Sequence, residues 1–264
     1  MSRRLAAALA ALALLAALPA VASANHSWGG YHWARTANPF TLKVGDNVNS
    51  TWDPYLSSAV SEWSQSTVLN LTEVAGNGST RKKCNATSGQ VEVCNNTYGN
   101  NGWLGVAQIW ASGTHITQGT VRLNDTYFNT PSYNTSAWRN LVMCQEVGHT
   151  FGLDHQDENF NNTNLGTCMD YTSNPGSNQT PNAGDYDELL CIYDPSSAGR
   201  TLSTSTHSCT GTGHLDSSST IAASLAKSPA LFGLRVATSN NGRTTTFYWK
   251  AGANLTLITH VIWA

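Results

Sequence analysis

Charged side chains are scarce in this chain: 11% of its 264 residues are Asp, Glu, Lys or Arg, against roughly 25% in an ordinary soluble domain. With 14 basic and 16 acidic residues there is no excess of either sign, which excludes the basic face that nucleic acid demands. Asn, Ser, Thr and Gly supply the polar surface instead, a composition suited to life outside a cell. Long apolar runs are also missing after the first. Leu5 to Leu18 is about 14 residues, short of the roughly 20 that cross a bilayer, and no later segment spans a membrane. Arg3 and Arg4 precede this run and Ala22-Ser23-Ala24 follows it. Residues 1–24 therefore read as a secretion signal, with an extracellular mature chain from Asn25. Internal repeats are absent.

Cysteine is present in an even number, six, which after a secretion signal suggests disulfides. Sequence does not choose among the possible connectivities. The working assignment is a local staple, Cys84–Cys94, with Cys144–Cys168 and Cys191–Cys209. Several Asn-x-Ser/Thr triplets, such as Asn70-Leu71-Thr72, are expected by chance in so Asn/Thr-rich a chain and decide nothing about glycosylation.

Asp53-Pro54 is a cap followed by proline at the first helical position. Leu56, Ala59, Val60 and Trp63 then recur at helical spacing, so residues 54–65 form an amphipathic helix. Around it lie five strand-like runs at 40–44, 68–74, 91–94, 103–110 and 118–124, separated by Gly/Asn/Ser clusters. A second helix starts at Thr135 or Ser136 and reaches Phe151. It is apolar nearly all round and hence buried, yet it carries Gln145, Glu146 and His149, which are costly there without partners. A third helix runs from about Asn182 to Pro195. Residues 198–264 comprise a Ser/Thr/Gly-rich linker and a small C-terminal β-hairpin appendage. The fold class is α+β.

The second helix continues into the stretch CQEVGHTFGLDHQDE. Gln145 and His149, four apart, project together, as two ligands of one metal must. Glu146 lies on the flank of that face, where a base can reach water at a metal without ligating it. Gly152 can take the left-handed conformation that ends a helix, letting His155 swing back toward the same point. Three protein ligands with an open fourth position are what metal-assisted hydrolysis requires.

Glu146, His149, Gly152 and His155 resemble the metzincin zinc proteases, and Cys168-Met169-Asp170-Tyr171 resembles their Met-turn at Met169. The segment PNAGDYDELLCIYD is similar to the closing helix of matrixin-type domains. The resemblance covers residues 25–197. It implies a twisted five-stranded sheet with three helices, one catalytic Zn2+, a general base at Glu146 and a secreted endopeptidase, acting as a monomer. It further implies a peptide substrate added to an edge strand, assigned to Gln118–Asn124. Tyr171 stands where some branches carry a tyrosine near zinc, as an extra ligand or a stabiliser of the tetrahedral intermediate. A structural Ca2+ near Asp154, Asp157 and Glu158 also belongs to this set of expectations.

One letter departs from the pattern: Gln145 occupies the first histidine position of H-E-x-x-H-x-x-G-x-x-H. A neutral amide oxygen is a weaker zinc donor than imidazole. Three readings follow. Gln145 ligates through its oxygen and the protein is a protease; or the site is inactive and the scaffold is an extracellular binding protein; or another residue completes the metal set. Cys144, Asp157 and His115 are the nearby alternatives for the last.

Overall fold

The computed structural model describes residues 26–28, 30–35, 37–193, 234–238, 244–250 and 255–264. The stretch read as a secretion signal, the linker and Cys209, and with it the expected Cys191–Cys209 pairing, lie outside the described residues. Strand β2 (Phe40–Asn47) buries Leu42 and Val44 and exposes Thr41 and Lys43, the alternation of a strand with one face on a core. It is followed by helix α1 (Asp53–Trp63), with proline in its first turn and Leu56, Ala59 and Trp63 buried. Strands β3 (Leu69–Ala75), β4 (Gln90–Asn96), β5 (Trp103–Ser112) and β6 (His115–Asn124) come next. The expected strands and helices are thus present, with longer strands at most positions. Two short elements have no strong sequence pattern: strand β1 (His32–Trp33) and helix α2 (Asp125–Phe128). Helix α3 (Ser136–His149) and helix α4 (Ala183–Tyr193) complete the α-helices among the described residues, with a single 3-10 turn at Pro175–Ser177 between them.

All strands among the described residues join one mixed sheet. Its order is β3-β2-β4-β6-β5, then three C-terminal strands: β9 (Leu255–Trp263), β8 (Thr244–Lys250) and β7 (Leu234–Thr238). The pairs β3–β2, β2–β4 and β4–β6 are parallel; those from β6 outward to β7 are antiparallel. Two expectations change. Gln118–Asn124 is not an edge: β6 lies between β4 and β5, with both of its backbone sides paired. The tight turn after Ser112 folds β6 back inside β5, an arrangement that strand order along the chain does not reveal. The C-terminal strands also extend the same sheet, because β9 pairs along the outer side of β5 from Trp103 to Ser112.

Helix α3 lies against this sheet and α1. Trp63 donates its indole N–H to the Cys144 carbonyl at 3.0 Å, and its ring meets Phe151 edge-on at 5.2 Å. A Cβ at Gly148 would come 2.7 Å from the Trp63 ring and 2.9 Å from Met169 Sδ, so glycine lets helix and Met169 turn touch. The Cys144–Cys168 disulfide clamps the same pair of segments, and Cys84–Cys94 staples β4 to its preceding loop. Both pairings match the sequence assignment.

A candidate metal centre at the end of helix α3

Helix α3 begins at Thr135, whose hydroxyl accepts the Trp138 N–H, and its last helical residue is His149. Gly152 then adopts φ +98, and a Cβ there would sit on the Tyr31 carbonyl oxygen. Only glycine turns the chain here. The turn brings His155 back, and its Nε2 stands 3.1 Å from His149 Nε2.

Hydrogen bonding fixes what this approach means. His149 Nδ1 lies 2.8 Å from the Leu153 carbonyl; a carbonyl only accepts, so Nδ1 carries the proton and Nε2 presents a lone pair. On His155, Nδ1 makes no hydrogen bond, the carboxylates of Asp154 and Glu158 standing 3.2 and 3.9 Å away. His155 Nε2 at this distance either donates its proton to that lone pair or, with the proton on Nδ1, shares a cation with it. Ligands at about 2.0–2.1 Å in a tetrahedral zinc site are separated by roughly 3.3 Å, close to the separation present.

A third ring joins them. His260, on β9, has its ring centroid 4.0 Å from that of His149 and 4.6 Å from that of His155. One ring nitrogen from each of the three lies within 4.8 Å of the others, and the buried group can hold a metal ion. Trp28 roofs it, packing on His149 and His260 at 5.5 and 6.1 Å. Burial is the main cause that drives all three histidines toward the neutral form: His149 is lowered to about 4, and His155 and His260 lie well below the ordinary imidazole value. Neutral imidazole is the ligating form.

Glu146 is fully buried beside this cluster. Neither carboxylate oxygen makes a hydrogen bond of normal geometry, and Oε2 lies 4.0 Å from His260 Nδ1. Desolvation raises its pKa well above the ordinary value, opposed only by the nearby Ala107 backbone amide. An acid held dry next to three unprotonated imidazoles is expensive for a fold to keep, and a divalent cation would relieve both sides of that cost. The donor set fits zinc. No family model matches the chain, and a search of curated proteins finds no match.

The remaining sequence candidates fall around the cluster. Tyr171 packs against His155 with tilted rings, centroids 4.0 Å apart, and its hydroxyl is 3.5 Å from His260 Nε2. Met169 is buried beneath, where its carbonyl accepts the Gln156 N–H at 2.7 Å. Asp185 at the start of α4 accepts from Gln156 and Thr167, tying the helix to both sides of this turn. Gln145 is buried, its Nε2 has no hydrogen-bond partner, and it lines a largely apolar cavity with Leu104, Val142, Tyr171, Ile262 and Trp263. Cys144 is consumed by its disulfide. Asp157 accepts the Asn159 N–H, and His115 is exposed against the His32 ring; neither belongs to the three-histidine group. Asp154 and Glu158 gather on His155 rather than apart from it.

Sequence reading missed His260. Its signal was present: a lone histidine inside the strand-forming run LTLITHVIWA is a polar group committed to an interior.

Gly105 on β5 makes room for the carboxylate. A Cβ there would lie 2.5 Å from Glu146 Oε1 and 2.7 Å from Val142 Cγ1. Gly105→Ala is expected to destabilise the fold by about 1–3 kcal/mol, the range for overpacking, and to displace Glu146. Chemical denaturation together with turnover measurements checks this; an unchanged midpoint would contradict the close approach.

Proposed function

We propose that this protein is a secreted zinc-dependent endopeptidase of metzincin type, with residues 25–197 as a matrixin-like catalytic region. A mixed α+β fold with one mixed sheet beside helix α3 supports that reading. The observation that carries the reading is Glu146, fully buried with neither carboxylate oxygen in a hydrogen bond of normal geometry, beside a cluster of neutral histidines. Two disulfides suit an extracellular protein, and among the described residues no helix is long and apolar enough to cross a membrane.

Bound zinc would polarise the scissile carbonyl and make water acidic enough to react near neutral pH. The chain supplies the proton traffic. Glu146 accepts a proton from the attacking water and passes it to the departing amine nitrogen; its raised proton affinity suits the first half of that task. Tyr171, beside His155, is placed to donate its hydroxyl to the developing oxyanion. The cavity lined by Leu104, Val142 and Trp263 offers an apolar side chain of the substrate a place to sit.

Purified protein is expected to carry about one zinc per chain and to cleave an unfolded protein until a chelator is added. Cleavage that persists without metal would overturn the reading. Metal-free protein with no cleavage would leave the alternative, a non-catalytic extracellular binding protein.

A further inference from the structure

Resting on that reading of the site, we propose that His260 is the third protein ligand of the metal, taking the place of the histidine that α3 lacks at position 145. Strand β9 is then part of the active site rather than an appendage. Register gives the reason His260 points where it does. In the β5–β9 ladder Ala107 pairs with His260 and Gly105 with Ile262, while Gln108 pairs with Thr259 and Val106 with Val261. Directly paired residues share a face of the sheet. Gln108 Nε2 donates to Thr259 Oγ1 at 3.0 Å on one face. Gly105, Ala107, His260 and Ile262 share the other, and it is the Gly105 side that meets Glu146 and Val142 of α3. Small residues on β5 bring the helix close, and the next strand carries the imidazole.

Chemistry and packing favour a ligand over a removable cover. Imidazole is the donor zinc prefers, and the amide of Gln145 is not. Strand β9 is laddered on both sides, to β5 and to β8, and Ile258 and Ile262, on the His260 face, belong to the main hydrophobic core. Withdrawing it would break two ladders and open that core. The outer side of β5 is occupied by β9, so an extended substrate does not add a strand there. Gln145 is released from ligation.

The test is zinc affinity of the full-length protein, measured by competition with a chromophoric chelator, with the visible spectrum of the cobalt-substituted form as a second readout. His260→Phe, which keeps an aromatic ring in the core, is expected to weaken zinc more than about 100-fold, beyond the loss typical of second-shell changes. It should also alter the cobalt spectrum. Gln145→Ala is expected to change affinity less than about threefold, and adding Gln145→His to His260→Phe to restore zinc binding by returning an imidazole to the helix. If His260→Phe binds zinc normally while Gln145→Ala does not, or if His260→Phe raises proteolysis, the assignment is overturned while the protease reading stands. If the unmodified protein takes up no zinc, both fail. Should His260→Phe not fold, recovery of folded, zinc-binding protein by the double variant supports the assignment. An unfolded double variant, or a folded one without zinc, counts against it.

Discussion

Glu146→Gln is expected to lower turnover of an unfolded protein substrate by about 10²–10⁴-fold, the range for losing a general base, with zinc content unchanged. The amide keeps the shape of the carboxyl group but cannot take up a proton from water. The same change is expected to stabilise metal-stripped protein at neutral pH. Burial raises the pKa of Glu146 above its unfolded value. Its contribution to folding is therefore fully present below about pH 4.5 and is lost as pH rises through the folded value. Glutamine removes that loss. Initial rates, elemental analysis and denaturation midpoints of stripped protein at two pH values check the three parts separately. Turnover within a few-fold of the unsubstituted protein would remove Glu146 from the chemistry.

Metal-stripped protein is expected to become labile between pH 6.5 and 4. His149 is lowered to about 4 in the fold, with burial as the largest cause, against about 6.5 in the unfolded chain. Above pH 6.5 the imidazole is neutral in both states and contributes no pH dependence. As pH falls toward 4 the unfolded chain takes up the proton first, so stability drops, and the loss is complete below the folded value. For His149 alone this amounts to about 3 kcal/mol, and His155 and His260, lowered for the same reason, act in the same direction. A smaller acid sensitivity in a His149→Phe variant, followed by urea titration of stripped protein at pH 7, 5.5 and 4, would confirm its share. A flat profile in the Glu146→Gln background, where the opposing titration of that carboxyl is removed, would mean the rings are hydrated rather than dry.

Local patterns made much of this legible. The cap at Thr135, the all-round apolar character of α3 and the glycine that ends its turn are short-range signals, and they placed His149, Glu146 and His155 correctly relative to one another. Of the assigned disulfides, Cys84–Cys94 is a local staple; Cys144–Cys168 is also present, but the sequence alone did not choose it. Strand positions along the chain were readable; strand neighbours were not. Pairing depends on backbone groups that every residue carries alike, so β6 was taken for an edge although it lies inside the sheet.

What the sequence determined alone is the helix with its buried acid and two of the rings, because helical spacing and one glycine turn set those positions within a few residues. Only the tertiary structure brought His260 to them from more than a hundred positions away. Ladder register between β5 and β9 made that meeting, and register is fixed by which faces can be buried together once all the strands are present.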